Sequence, residues 1–313
     1  MRLAPLALTA LLAACAKGTV PAAAEPPFNI RPVASFDEPW AMAFLPDGRM
    51  LVTEKKGALR VVTAQGQKSP PVAGTPRVDY GGQGGFGDIA LSPDFARDGL
   101  VYLSWAEAGE GDTRGAAVGR ARLVIGPGAQ GGRLEGLQVI WRQVPKTTGR
   151  GHYSHRLAFS PDGRFLFIAA GDRQKITPAQ DPDQLLGKIV RLTPDGRVPA
   201  DNPNVGQPGV RPQWWSTGHR NILGMAFDAQ GRLWFTRFGL ALTQDNARGY
   251  RGGAAAQLWR WDGRGEAVRV AGDWPASILR PLPWGERLIV LADAGGNEAA
   301  APWIAARDGA VLL

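Results

Sequence analysis

The chain has 313 residues and a formal net charge of +8, with 36 Lys and Arg against 28 Asp and Glu. This excess of positive charge favours an anionic partner. No dense run of Lys and Arg and no nucleic-acid-binding motif occurs, so we predict no nucleic acid partner. A single cysteine excludes an internal disulfide. The 42 glycines and 25 prolines predict many turns.

The first residues are typical of a targeting segment. The apolar run Leu3–Leu12 is too short to span a bilayer of about 30 Å as a helix. It ends in Leu-Ala-Ala-Cys, which resembles the lipobox of bacterial lipoproteins, whose cysteine is acylated. We therefore expect a signal peptide over 1–14, a lipid on Cys15 and a flexible tether over 15–27. An ordinary secretory signal with an incidental cysteine is the alternative.

The location follows from the same segment. In proteins with a lipobox, Ala rather than Asp after the cysteine permits transfer to the outer membrane, and residue 16 is Ala. We therefore expect a periplasmic protein that the lipid on Cys15 anchors to the outer membrane.

One unit recurs in the remaining chain, residues 28–313: an apolar strand, a turn rich in Pro, Asp and Gly, and a second strand. Its copies are 41–52, 157–168 and 225–235, with a looser copy at 89–105. Asp-Gly supplies the positive φ angles of tight hairpin turns. Regularly recurring hairpins predict an all-β fold, a β-propeller with blades of about 40 to 50 residues. The chain would fill about six blades; a β-sandwich or a β-helix is the alternative.

The three histidines of the chain lie in two short polar segments, 151–156 and 218–221. Each segment contains a His and an Arg and runs directly into an apolar, strand-like stretch. Histidine exchanges protons near neutral pH because its unperturbed pKa is about 6.5. The two segments therefore predict a site that moves protons and holds an anion.

The motifs in this order resemble the soluble, pyrroloquinoline quinone (PQQ) dependent sugar dehydrogenases of the glucose/sorbosone dehydrogenase family. The matching segments are 39–48 with 52–55, 82–86 with 92–95, 152 with 171–173, 185–192 with 195–196, 199–203 and 218–221. The resemblance implies a six-bladed propeller that oxidises the anomeric hydroxyl of an aldose to a lactone. It also implies hydride transfer to PQQ and an external electron acceptor.

The resemblance assigns roles to individual residues. His152 matches the general base, which must stand within about 3 Å of the hydroxyl that it deprotonates. Asp172 matches the carboxylate that orients this base. Arg220 and Asn221 match the pair that contacts the quinone, with the arginine stabilising negative charge as hydride arrives. Gln83 matches a pocket glutamine near the sugar or cofactor.

Each assignment has a plainer alternative. His152 could be a loop histidine bonded to backbone, and Asp172 a turn carboxylate. Arg220 could pair with a carboxylate of the fold, and Gln83 could be a turn residue among glycines. His155 stands where the family commonly has Gly, so we expect its larger side chain to narrow the pocket.

The chain departs from the family after residue 235. The family has Glu-His-Gly-Pro there, in a segment that binds calcium, whereas this chain has Arg-Phe-Gly-Leu. Calcium takes six to eight oxygen ligands, and the carbonyls of Gly239 and Leu240 are the remaining candidates. A propeller without catalysis that binds a sugar or a protein at the cell envelope is therefore the alternative function. A calcium-dependent hydrolase of the lactonase type is a third.

Overall fold

A computed structural model describes residues 32–238, 256–263, 265–270, 278–284, 287–292, 301–305 and 311–312. The strands belong to one compact unit, Ala34–Leu313. The expected signal peptide, the tether and the lipid site at Cys15 lie outside the described residues. None of the described helices has the length and apolar character needed to cross a membrane.

The described chain folds into five antiparallel sheets, and within each sheet consecutive strands are neighbours. The first sheet has three strands: β1 Pro39–Phe44, β2 Met50–Glu54 and β3 Ala58–Val62. The second sheet is β4 Phe86–Leu91, β5 Leu100–Ala108, β6 Arg114–Ile125 and β7 Gly132–Arg142. The third sheet is β8 Ser154–Phe159, β9 Leu166–Ala170, β10 Lys188–Leu192 and β11 Trp214–Thr217.

Two further four-stranded sheets follow. The fourth sheet is β12 Met225–Phe227, β13 Leu233–Phe238, β14 Ala256–Trp261 and β15 Val268–Val270. The fifth sheet is β16 Ile278–Trp284, β17 Arg287–Ala292, β18 Ala301–Ala305 and β19 Val311–Leu312. The helices in the described ranges are short: α1 Phe95–Asp98 and 3₁₀ turns at Thr177–Ala179 and Arg211–Gln213.

The recurring sequence unit is the first hairpin of each of the first four sheets. Its copies form β1–β2, β4–β5, β8–β9 and β12–β13. The turn glycines Gly48, Gly163 and Gly231 have φ angles of 84°, 69° and 77°, as tight hairpin turns require. The sequence prediction of a repeated hairpin is therefore confirmed, and the fold is all-β and propeller-like.

The expected count of six blades is not reached. The described ranges contain four four-stranded sheets and one three-stranded sheet. The estimate assumed about 40 to 50 residues per blade, but the second and third sheets span 86–142 and 154–217. Long β6 and β7 strands and the connection between β10 and β11 account for the extra length.

The first strands of the five sheets surround one cavity of about 560 Å³. Trp40, Asp88, Arg156, Met225 and Leu282 line it, one from each of β1, β4, β8, β12 and β16. This arrangement of first strands around one space is the arrangement expected of propeller blades. His152 is not among its lining residues.

Candidate active site

The β8–β9 hairpin brings His152 and Asp172 together. His152 lies two residues before β8, and Asp172 lies two residues after β9. The strands are antiparallel and pair Ser154 with Ala170, so the start of one strand lies beside the end of the other. The His152 Nδ1 is 2.7 Å from the Asp172 Oδ1. The predicted pairing of a histidine with an orienting carboxylate is therefore present.

The surroundings of this His–Asp dyad fix the role of each ring nitrogen. The Asp172 side chain is 2 % exposed and that of His152 is 13 % exposed. The carboxylate Oδ1 also accepts a hydrogen bond from the Gln174 N at 2.9 Å. A carboxylate partner assigns the proton of the neutral ring to Nδ1. The Nε2 bonds to no residue that the structure describes, so its lone pair can accept a proton.

The backbone around the dyad is packed too closely to admit a larger residue at position 171. A Cβ on Gly171 would lie 1.9 Å from the carbonyl oxygen of His152. The Gly171 N donates to the Tyr153 carbonyl at 3.1 Å, and the Arg173 N donates to the His152 carbonyl at 3.2 Å. The glycine of the Gly-Asp-Arg motif thus permits the contact between the two loops.

Backbone strain is concentrated at the same place. Of the seven non-glycine residues with positive φ in the described ranges, six lie between 152 and 176. They are His152, Ser154, His155, Arg173, Gln174 and Ile176. Positive φ in residues with side chains has an energetic cost, and such residues cluster at functional sites. The dyad therefore lies in the part of the described chain that carries the most local strain.

Gln83, in the loop before β4, contacts the backbone of His152. Its side-chain Oε1 accepts a hydrogen bond from the His152 N at 2.7 Å. The Gln83 N donates to the Arg150 carbonyl at 2.7 Å, so the loop before β4 and the loop before β8 hold each other. The residue is exposed, and its amide nitrogen forms no hydrogen bond with any residue in the described ranges.

The second histidine-containing segment meets the dyad through its backbone. The Asp172 N donates to the carbonyl of Arg220 at 2.8 Å, so Arg220 is adjacent to the carboxylate residue. Its side chain is exposed and forms no ion pair with any residue in the described ranges. Asn221 is buried, and its Oδ1 accepts a hydrogen bond from the Ser154 N at 3.1 Å. Arg220 is thus free to bind an anion, and Asn221 also fixes the start of β8.

The structure places the His155 side chain in the interior, packed against other aromatic rings; that it narrows the pocket stays a prediction. The residue is 3 % exposed, and its φ of 70° is left-handed. Its ring stacks on Tyr153 at 5.1 Å between centroids and meets the edge of Trp40 at 5.8 Å. Neither ring nitrogen has a hydrogen-bond partner among the residues that the structure describes. Burial, with Arg173 adding a smaller contribution, lowers the pKa of His155 to about 3.

This buried ring predicts an acid sensitivity that one substitution removes. Between pH 6.5 and 3 the unfolded chain protonates His155 and the folded chain does not, so folding stability falls as the pH falls. The loss is about 1.4 kcal/mol per pH unit. We expect the wild type to lose about 2 to 3 kcal/mol more than His155→Phe between pH 6.5 and 4.5 in urea denaturation. Equal losses in both proteins would contradict a neutral buried imidazole.

The calcium prediction lies outside the described residues, because Gly239 and Leu240 are not among them. Within the described ranges, no group of three or more His, Cys, Asp or Glu side chains is placed to hold a metal ion.

Sequence reasoning missed two buried residues that support the dyad. Arg173 is 1 % exposed and donates to the carbonyls of the loop that carries His152. Gln143, which is fully buried, donates from Nε2 to the Gly171 carbonyl at 2.7 Å. Arg173 belongs to a recognised motif, but Gln143 is a single polar residue after an apolar strand and gives no signal in the sequence.

The fold and the site together define a propeller-like protein that presents a His–Asp dyad beside an exposed arginine. The sequence model of the Glucose / Sorbosone dehydrogenase family matches residues 36–246, more than half of the chain. The chain belongs to this family.

Known proteins are similar to this chain in both sequence and structure. Aldose sugar dehydrogenase YliI of Escherichia coli strain K12 is 41 % identical over 205 residues, which are 65 % of this chain and 54 % of that protein. The soluble aldose sugar dehydrogenase of E. coli in the apo form superimposes with a TM-score of 0.63 at 28 % identity, covering 86 % of this chain and 95 % of the other. The PQQ-bound aldose sugar dehydrogenase of Streptomyces coelicolor gives 0.61 at 25 % identity, covering 87 % and 93 %. The chain spans about half the length of the curated relatives it matches.

Proposed function

We propose that this protein is a PQQ-dependent aldose dehydrogenase that oxidises the anomeric hydroxyl of a sugar to a lactone. The observation that carries the proposal is the His152–Asp172 pair, with Nδ1 held by a buried carboxylate and Nε2 unbonded within the described ranges. Family membership and the name of the PQQ-bound relative support the choice of cofactor.

The donor groups of the described site fit an anionic quinone that carries carboxylates. Arg220 offers an exposed guanidinium adjacent to the dyad, and guanidinium groups bind carboxylates through charge-assisted hydrogen bonds. Gln83 offers an exposed amide that is already bonded to the His152 backbone. We propose that these two residues, with the Asn221 amide nitrogen, hold PQQ, and that Gly239 and Leu240 contribute to a calcium site. When bound, the quinone supplies the two-electron acceptor for the hydride of the anomeric carbon.

The protein residues then act on the proton and on the developing charge. The His152 Nε2 accepts the proton of the anomeric hydroxyl as its carbon–oxygen bond becomes a carbonyl. The buried Asp172 carboxylate stabilises the imidazolium that this transfer creates. The exposed Arg220 guanidinium would place positive charge beside a bound anionic acceptor, where it would favour added negative charge. The proton on Nε2 leaves to solvent, because the His152 ring is partly exposed.

The first test is binding of PQQ by the full-length protein. We expect binding at micromolar PQQ, measured by tryptophan fluorescence with and without calcium, together with aldose-dependent reduction of an external dye. Loss of one charge-assisted hydrogen bond costs roughly 1.5 to 3 kcal/mol, so Arg220→Met weakens PQQ binding by roughly ten- to 150-fold. Arg97→Met is the matched control, because Arg97 is a surface arginine with an 80 % exposed side chain.

Two results would contradict the proposal. Absence of PQQ binding at micromolar concentrations, with or without calcium, would favour the propeller without catalysis. Binding of PQQ without dye reduction for any aldose would contradict the proposed sugar oxidation and would still support the proposed PQQ site.

We also propose that the protein acts in the periplasm and that a lipid on Cys15 anchors it to the outer membrane. The Leu-Ala-Ala-Cys sequence and the adjacent alanine support this location.

A further inference from the structure

Arg173 occupies an unusual position for a charged residue. It is 1 % exposed, which makes it the largest fully buried side chain of the described residues. Its guanidinium donates three hydrogen bonds to backbone carbonyls: from Nε to Gly151 at 2.8 Å, from Nη1 to Arg114 at 2.6 Å, and from Nη2 to Gly149 at 2.5 Å.

Within the described part of the chain, the Arg173 guanidinium contacts no carboxylate. Its central carbon lies 3.7 Å from the centroid of the Tyr153 ring, and no described Asp or Glu forms a salt bridge with it. Burying a charge costs several kcal/mol unless hydrogen bonds satisfy it. The carbonyl bonds and the aromatic face supply this compensation, and burial still lowers the pKa of Arg173.

Two of the three carbonyls belong to the segment 149–152, which carries His152. The third belongs to Arg114 at the start of β6, in the second sheet. The Arg173 N also donates to the His152 carbonyl at 3.2 Å. One residue therefore ties the loop of the base to the neighbouring sheet while its own backbone follows Asp172 directly.

We propose that Arg173 is a positioning residue that holds the 149–152 loop so that the His152 Nδ1 faces Asp172. Three bonds from one planar group fix the loop in position and orientation, because the donors of a guanidinium have a rigid geometry. His152 has a left-handed φ of 50°, which is uncommon for a residue with a side chain, and the bonds of Arg173 to this loop help to hold it there. This inference rests on the proposed function only where it concerns catalysis.

The test separates positioning from a merely structural role. The first variant, Arg173→Met, removes all the hydrogen-bond donors and keeps a side chain of similar length. The second, Arg173→Lys, keeps the positive charge and loses the planar guanidinium with its fixed donors. Arg97→Met is again the surface control. The first readout is ¹⁵N NMR of the histidine rings in the full-length protein without cofactor, which reports the His152 tautomer and its Nδ1–H hydrogen bond. The chain has only three histidines, so each ring can be assigned by substitution.

We expect Arg173→Met to lose the single Nδ1–H tautomer of His152 and to lower kcat for aldose oxidation about 100-fold, with a smaller change in KM. Arg173→Lys should retain part of the Nδ1–H tautomer and part of kcat, and Arg97→Met should change neither the tautomer nor kcat. An unchanged His152 tautomer in a folded Arg173→Met protein would overturn the proposal. Because this readout needs no PQQ and no sugar, it stands even if the proposed dehydrogenase activity fails.

Arg173→Lys keeps the test decisive if Arg173→Met does not fold. Lysine keeps the positive charge but cannot donate three hydrogen bonds in the rigid geometry of a planar guanidinium, so we expect a mixture of His152 tautomers in which the Nδ1–H form is only partly retained. A single wild-type tautomer in a folded Arg173→Lys protein would then overturn the proposal.

Discussion

Replacement of His152 by alanine lowers kcat for aldose-dependent dye reduction by about 10² to 10⁴-fold, the usual contribution of a general base. The reason lies in the two ring nitrogens of His152. Nε2 forms no hydrogen bond with any described residue, so its lone pair is available, whereas Nδ1 is hydrogen-bonded to the buried Asp172 carboxylate. Without the imidazole, no described neighbour is placed to take the proton of the hydroxyl. PQQ binding should change little, because Arg220 and Gln83 remain.

The control for this prediction is rescue by added imidazole. The His152 ring is partly exposed, so its removal leaves a space open to solvent into which imidazole can diffuse. We expect imidazole to restore part of kcat in His152→Ala and to leave the wild type unaffected. Wild-type kcat in His152→Ala, with the melting temperature also unchanged, would show that this residue is not the base.

Local sequence signals predicted the elements that depend on neighbouring residues. The recurring turn segments predicted the first hairpins of the first four sheets, because the positive φ of turn glycines such as Gly48 and Gly163 depends on a few adjacent residues. The dyad followed from the family resemblance, and the register of β8 and β9 explains why residues twenty positions apart meet. Both results rest on contacts within one hairpin.

Contacts between distant segments were not predictable in this way. Arg173 bonds to the carbonyl of Arg114, 59 residues away, and no local pattern indicates this pairing. The burial of a charged side chain was not predictable either: Lys188 begins a buried strand, and its Nζ donates to the carbonyls of Pro178, Ala179 and Leu186, which lie at most 10 residues away. Burial lowers the pKa of Lys188 to about 8. Tertiary burial decided the role of each residue, and an isolated Lys or Arg in a sequence reads as a surface residue.

The blade count depended on an average that this chain does not follow. Connections within a sheet vary in length without changing the local strand pattern, as the segment between β10 and β11 illustrates. Dividing the chain length by a typical number of residues per blade therefore gave more blades than the described ranges contain.

Substitutions of Asp172 separate the two contributions of its carboxylate, which are charge and tautomer control. Asp172→Asn lowers kcat roughly ten- to 150-fold, because a hydrogen bond to a charged group is worth roughly 1.5 to 3 kcal/mol. The Gln174 N donates to Oδ1 at 2.9 Å, so it orients the asparagine with its oxygen still facing the His152 Nδ1. Asp172→Ala also removes the acceptor for Nδ1–H. We expect its kcat to fall further, by a factor on the order of 10⁴, as it does when a catalytic histidine loses its correct tautomer.

The comparison between the two variants is more informative than either value alone. Ring ¹⁵N NMR should show the Nδ1–H tautomer of His152 in wild type and Asp172→Asn, and a mixture in Asp172→Ala. Equal kcat values in the two variants, or a mixed tautomer in Asp172→Asn, would contradict the role of Gln174 in orienting this side chain. If kcat and tautomer follow the expected order, the backbone N–H of Gln174 fixes which nitrogen of His152 is available to the substrate, while the carboxylate charge stabilises the imidazolium once the proton has moved.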